Sequence, residues 1–434
     1  MLSSRLPKDL SPSPFFAELE RAKVQVLEEC ACDKEATAGG LSFIDMTVSS
    51  PLRVGLPVDL QPAVDATKGD FGTWVADAAG RRDVREAVAE YYRERGGNFD
   101  ADQIILTAST SEAYSVLFKA FCDPGDVILT PMPGYPLLDT LAQLEHLECA
   151  PYFLKLEREK KNTSLRAQGA KQSTFRFVLD TDSLLAAPEK AKILLLVSPH
   201  NPTGHCVSQT EWNEVVAFCE QHNLILVVDE VFGDYGFSDD VRRTWEYLKP
   251  GLDSSTTPFA GASGSAQNDT SGPKCPIFWL NGLSKTIGSP QLKLGWMAFY
   301  APEEQFEPIR AALEFVEDAY LSVSAPAQAL GAELLKQSVA YEATIRERLL
   351  QNWKTLRQAF PSKYCPEVLG GWYAAIRLGE DDERLTLELL REKHVLVQPG
   401  FFFDFDEDGW VVVSLLQPPE VFAEAVARMP RMSC

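Results

Sequence analysis

Leu280-Asn281-Gly282-Leu283-Ser284-Lys285, followed by Thr286-Ile287-Gly288-Ser289-Pro290-Gln291-Leu292-Lys293-Leu294-Gly295-Trp296, decides how this chain reads. The apolar run Pro276-Ile277-Phe278-Trp279-Leu280 has the composition of a buried strand, and it delivers one lysine into a turn of small and polar residues. Lys293 follows eight residues later, just before a second apolar run, Trp296-Met297-Ala298-Phe299-Tyr300. A lysine at the end of a buried strand is costly to desolvate unless its amine has a task. One such task is a Schiff base with a carbonyl cofactor, which a lowered amine pKa assists. The competing reading is a surface lysine in a loop, and the rest of the chain has to decide between the two.

Working outward, residues 104–107, 127–130, 193–197 and 224–228 are short, continuous apolar runs, and helical patterns over 112–121, 136–144 and 210–222 separate them. Unbroken apolar strands between helices imply burial on both faces, hence an α/β fold with a mostly parallel central sheet covered by helices. Nearer the amino terminus, helices are expected over 14–29 and 82–95, the second with Val84, Ala87, Val88 and Tyr91 on one face. A short extended segment over 41–46 lies between them. Beyond Tyr300 the pattern changes to long helices over 303–320 and 325–360, then short strands over 371–376 and 410–414, as in a smaller α+β lobe. The polar stretch 157–173 and the Ser/Thr/Gly/Ala-rich stretch 253–274 read as surface loops.

Composition narrows the class. The chain has 434 residues, 45% hydrophobic and 24% charged, enough for a large core. A formal net charge of −21 repels nucleic acid and anionic membrane surfaces, leaving small molecules as the expected partners. No apolar run approaches the roughly 18 residues of a membrane span. The segment Met1-Leu2-Ser3-Ser4-Arg5 leads into no secretory apolar core. Nine cysteines without a Cys-x-x-Cys pair argue against zinc or any other metal, and they fit reduced thiols in a cytoplasmic protein.

Loops after the carboxyl ends of parallel strands are where such sheets hold ligands. Thr107-Ala108-Ser109-Thr110-Ser111-Glu112 places hydroxyls at a helix amino terminus, which suits a phosphate as well as an ordinary N-cap. Pro131-Met132-Pro133-Gly134-Tyr135-Pro136 stiffens an aromatic that can stack on a flat ring or merely pack. In Ser198-Pro199-His200-Asn201-Pro202-Thr203-Gly204, prolines fix the Asn201 amide at a strand end. Asp229 ends the apolar run Leu226-Val227-Val228, where a carboxylate needs a cationic or N–H partner such as a protonated pyridine nitrogen.

Asn201-Pro-x-Gly, Asp229-Glu-x-aromatic and Ser284-Lys285-x7-Lys293, in this order, resemble the class I/II aminotransferases of pyridoxal-phosphate fold type I. The resemblance spans residues 40–430. It implies pyridoxal 5′-phosphate as cofactor, an amino acid and a 2-oxo acid as substrates, and a homodimer. It also implies a division into an amino-terminal segment (1–58) bordering the site, a large cofactor-binding domain (59–302) and a small carboxyl-terminal domain (303–434), the small domain being built from both chain ends. Lys285 falls at the Schiff-base lysine, Asp229 at the partner of the ring nitrogen, Asn201 at the donor to the phenolic oxygen and Tyr135 at the stacking aromatic. Ser109, Thr110, Ser111, Ser284 and Lys293 fall at the phosphate. Transamination is the expected reaction, and elimination by a carbon–sulfur lyase of the same fold is the alternative.

Departures from the pattern concern substrate more than cofactor. Lys293 replaces the usual arginine, Gly282 a serine and Phe232 a tyrosine, and Trp74 stands where a neighbouring subunit's tyrosine often reaches the phosphate. Val412 stands where the resemblance expects an arginine for the substrate's α-carboxylate. Arg53, in Ser49-Ser50-Pro51-Leu52-Arg53, is the candidate to replace it, with Trp372 in Gly370-Gly371-Trp372-Tyr373 beside the substrate. Phe401, Phe402 and Phe403 suggest an apolar wall.

Overall fold

A computed structural model describes residues 3, 5–7, 9–32, 42–68, 76–158, 174–248 and 272–432. Trp74, 159–173 and 253–271 of the two expected loops, and the end of the amino-terminal extended segment at Leu41 lie outside the described residues.

A short strand β1 (Ile44–Asp45) precedes the eight strands of the central sheet: β2 (Ile104–Thr107), β3 (Val127–Met132), β4 (Glu148–Arg158), β5 (Phe175–Leu179), β6 (Ala191–Val197), β7 (Ile225–Asp229), β8 (Ile277–Gly282) and β9 (Gly295–Tyr300). Their order is β2-β9-β8-β7-β6-β3-β4-β5. The pairs β3/β4, β3/β6, β6/β7 and β7/β8 are parallel, while β8/β9, β2/β9 and β4/β5 are antiparallel.

The apolar runs are continuous because each face has its own core. Ile105, Ile128, Ile193, Leu195, Val227, Phe278, Leu280, Met297 and Phe299 pack with Leu117 and Phe118 of the helix Thr110–Phe121 and Leu313 of the helix Glu303–Asp318. The alternate residues, including Leu194, Leu196, Leu226, Val228, Trp279 and Trp296, face Val84 and Tyr92 of Arg82–Glu94 and Trp212 of Gln209–His222. This alternation is the period-2 geometry of a strand, with no polar face to interrupt it.

The smaller lobe contains β10 (Tyr373–Arg377), β11 (Val395–Leu396), β12 (Gln398–Pro399) and β13 (Trp410–Ser414). β10 and β12 flank β13 in antiparallel pairs. β1 pairs with β11, and the helix Pro14–Cys32 buries Phe15, Leu19, Ala22 and Val26 against Leu390 and Leu396, so both chain ends meet here. The lobe docks on the sheet through Gly204, whose φ is +69° and whose Cβ position would lie 2.5 Å from Val368 Cγ1. Its carbonyl accepts from the Leu369 N–H at 2.9 Å, and the Tyr235 carbonyl accepts from Gly371 at 3.0 Å.

Two expectations need correction. The helix expected over 325–360 is two helices, Ala325–Leu335 and Ser338–Ala359, and the break lets the Ser338 hydroxyl accept from Arg95 at 3.1 Å. The edge hairpin β4–β5 was hidden because β4 is mostly exposed and carries charges, so Glu157 and Arg158 belong to a strand and not to a loop.

Behind β8 lies a buried ionic cluster. Asp234 accepts from Arg95 Nε and Arg243 Nη2, each at 3.0 Å, and from the Tyr91 hydroxyl at 2.8 Å. Burial raises the Asp234 pKa, but Arg243 and Arg95 outweigh it and hold the carboxylate below its ordinary range. Replacing Asp234 by alanine strands two largely buried guanidinium groups, and the expected cost is about 3–5 kcal/mol. Urea unfolding checks this, and a midpoint equal to that of the wild type contradicts it.

Candidate active site

The register of the parallel strands places the site. Val197 lies opposite Asp229, and Asp229 opposite Leu280, so the carboxyl ends of β6, β7 and β8 are level. β2 runs in the same sense as β8 because β9 lies between them antiparallel to both. β3 is parallel to β6, so the loops after five strands converge, and a cavity of about 310 Å³ opens between them. Ser109, Thr110, Ser111, Tyr135, Asn201, Asp229, Ser284, Lys285 and Lys293 all line it.

Lys285 sits in the one-turn helix Leu283–Thr286 directly after β8. Its Nζ lies 4.8 Å from the centroid of the Trp372 ring and 5.4 Å from that of Phe232. Burial draws the amine down to about 8, with Asp229 pulling the other way. The turn is fixed from beneath. The Tyr235 hydroxyl donates to the Lys285 carbonyl at 2.6 Å, and Asn281 Oδ1 accepts from the Gly282 N–H and the Thr286 hydroxyl. Asn281 Nδ2 in turn donates to Tyr91, joining the turn to the Asp234 cluster.

Asp229 ends β7. Burial raises its pKa, and the Val231 N–H (3.1 Å), the Tyr114 hydroxyl (2.8 Å) and the Lys285 charge oppose the rise. Tyr114 was not anticipated. It lies four residues after Thr110 and so shares that residue's helix face, which was a readable signal. Ser109 caps the same helix, accepting from the Glu112 N–H at 3.2 Å.

Gly282 and Gly295 face each other across β8 and β9, and a Cβ on Gly282 would lie 3.0 Å from the Gly295 Cα. A serine at 282 would press on the backbone of Leu294 and Gly295, which would have to give by a few tenths of an ångström. Lys293 takes the left-handed conformation (φ +52°) after the turn Pro290–Leu292 and is exposed at the cavity edge. Tyr135 is 47% exposed and stands at the mouth.

Arg53 and Trp372 do not line the cavity. Arg53 is exposed in the turn Pro51–Val54, and Ser49 is the residue of that segment that reaches the cavity. Trp372 is fully buried behind Lys285, its Nε1 without a hydrogen-bond partner, and Tyr373 presents the lining surface. Val412 is fully buried in β13 between Ala375 and Gln398. Phe401 and Phe402 pack on Phe16.

These residues fit a phosphorylated pyridine aldehyde. Asp229 can accept from a ring N–H, and Asn201 lines the cavity with an amide whose Nδ2 can donate to a ring oxygen. The capped helix terminus with Ser109, Thr110 and Ser111 can take a phosphate.

The aminotransferase class I and II family profile matches residues 63–429. The glutamate-pyruvate aminotransferase AlaA of Haemophilus influenzae is 21% identical over 409 residues, covering 90% of this chain and 91% of its own. An alanine aminotransferase of Mycobacterium tuberculosis is 25% identical over 371 residues, covering 82% and 76%. Among solved structures, an alanine aminotransferase from Pyrococcus furiosus superposes with a TM-score of 0.72 at 21% identity, covering 96% of this chain and 98% of that one. A Thermus thermophilus aspartate aminotransferase double mutant gives 0.74 at 20% identity, covering 99% and 98%. The chain belongs to the aminotransferase class I and II family, with the type I fold. It is a transaminase whose cofactor is pyridoxal 5′-phosphate.

The neutral amine is the form that attacks a carbonyl. Capture of pyridoxal phosphate by the apo-protein is therefore expected to rise with pH through a midpoint near 8 and then level off. Stopped-flow absorbance checks this, and a rate still climbing towards about pH 10, as for an ordinary lysine, contradicts it.

Proposed function

We propose that the chain moves an amino group between an amino acid and a 2-oxo acid, with Lys285 as the covalent anchor of the cofactor and the mobile base. One observation carries this reading: Lys285, Asp229, Asn201 and the Ser109–Ser111 hydroxyls share one cavity at the carboxyl ends of adjacent strands. When bound, the cofactor supplies an electron sink for a bond at the substrate's α-carbon.

The remaining work belongs to the protein. Asp229 keeps the ring nitrogen protonated, and the Tyr114 and Val231 hydrogen bonds hold that carboxylate in place. Asn201 orients the ring edge, and Tyr135 covers the ring from the mouth. Ser109, Thr110, Ser111, Ser284 and Lys293 hold the phosphate, Lys293 as a point charge and not as a bidentate clamp. Once free, the Lys285 amine would take the α-proton and return it to the cofactor's exocyclic carbon, on the far side of the intervening nitrogen. An amine drawn down to about 8 does this near neutral pH better than an ordinary lysine. Trp372 and Phe232 limit its motion to the direction of the cavity.

The reading also includes a cytoplasmic homodimer and the division at residues 58 and 302. Among the described residues, no helix is long and apolar enough to cross a membrane.

Incubating the holoenzyme with each of the twenty amino acids and pyruvate, oxaloacetate or 2-oxoglutarate tests the reaction type. The amino group is expected to appear on the acceptor in step with a new 2-oxo acid, and Asp229→Asn is expected to lose at least about a hundredfold in rate. Release of ammonia with no aminated acceptor would establish elimination instead.

A further inference from the structure

The ionisable carboxylates and amines lining the cavity are few. Among the described residues they are Asp229, Lys285 and Lys293, and no arginine is present. In the reading above, on which this inference rests, all three are engaged by the cofactor. Lys293 lies on the phosphate side of the cavity, two residues before Gly295, where an added Cβ would lie 3.1 Å from the Ser109 carbonyl carbon. A carboxylate on the substrate's amino carbon would therefore meet no cation of this chain that is not already in use.

It would meet hydroxyls. Tyr373 and Ser49 both line the cavity. The Tyr373 ring stands edge-on to Phe232 at 5.9 Å, and Phe232 is itself 5.4 Å from the Lys285 amine. The Tyr373 ring thus stands across one aromatic ring from the reacting lysine. The Tyr373 phenol is pushed up by burial, so it remains a protonated donor at any working pH. Ser49 comes from the amino-terminal segment and Tyr373 from β10, so the pair closes the cavity on the side of the smaller lobe.

We propose that the Ser49 and Tyr373 hydroxyls form the subsite for the group next to the substrate's amino carbon, reading it through neutral hydrogen bonds. A guanidinium rewards a carboxylate far above an uncharged isostere, whereas hydroxyls donate almost equally to both. The substrate class consequently extends beyond α-amino acids to α-amino amides and amino alcohols, in which an uncharged hydrogen-bonding group replaces the carboxylate.

Aminooxy compounds capture the cofactor whatever the natural side chain, which makes them suitable probes. The holoenzyme is mixed with aminooxyacetate or with 2-(aminooxy)acetamide, and the loss of the cofactor's visible absorbance is followed. Each rate constant is divided by that of free pyridoxal phosphate with the same reagent. The two normalised constants are expected to agree within about tenfold and to change little between low and high salt. Tyr373→Phe and Ser49→Ala are each expected to slow both reagents by about five- to tenfold, the worth of one hydrogen bond. The pH midpoint of cofactor capture by the apo-variants should stay near that of the wild type, which a merely structural role would shift. A preference for aminooxyacetate beyond about tenfold overturns the proposal, as does a Tyr373→Phe protein that treats both reagents as the wild type does. A protein that fails to take up pyridoxal phosphate at all refutes the underlying reading instead, so the two failures are distinguishable.

Discussion

Keeping an amine at the end of a buried strand is the constraint around which this structure is arranged. The Lys285 Nζ faces two aromatic rings and a single carboxylate, Asp229, and the loss of water lowers its pKa. That environment is unfavourable for a charged lysine and favourable for a neutral one. The residue is tolerated because its surroundings are rigid. Tyr235 holds its carbonyl, and Asn281 holds the backbone before the turn and the hydroxyl after it. Tyr91 then connects Asn281 to Asp234 with its two arginines. The ionic cluster and Lys285 are thus parts of one hydrogen-bonded unit spanning β8, two helices and the loop after β7.

The sheet supplies the other half of the arrangement. A parallel sheet turns every following loop to the same edge, so residues far apart in sequence arrive together without long excursions. Asp229 is the last residue of β7, Lys285 follows β8 by three residues, and Asn201 follows β6 by four. The price is a pair of glycines, Gly282 and Gly295, where β8 and β9 approach so closely that a Cβ would lie 3.0–3.1 Å from neighbouring backbone atoms. The smaller lobe closes the remaining side through Tyr373, which lies just beyond residues 368–371 docked on Gly204 and Tyr235, and Ser49 of the amino-terminal segment lines the same cavity.

Much of this was legible in the sequence because the signals were local. Runs such as Ile193-Leu194-Leu195-Leu196 and Leu226-Val227-Val228 admit few readings other than strands covered on both faces. Polar residues that end such strands stand out for the same reason. What was hidden depended on tertiary context. β4 resembles a surface segment because only one face of it is partly covered, and the break at residues 336–337 serves a contact with Arg95 almost 250 positions away. Neighbouring positions caused the finest differences. Trp372 and Tyr373 are consecutive at the start of a strand and so point to opposite faces, and Arg53 and Ser49 lie on one short segment of which a single residue enters the cavity. Composition cannot distinguish such neighbours, whereas strand register and turn geometry can.

The central claim is that one lysine, selected by its burial, carries the cofactor. Reducing the holoenzyme with borohydride, digesting it and sequencing the peptides by mass spectrometry tests this most directly. A phosphopyridoxyl group is expected on Lys285 and is expected to disappear in Lys285→Ala. A label on Lys293, or on neither lysine, would contradict it.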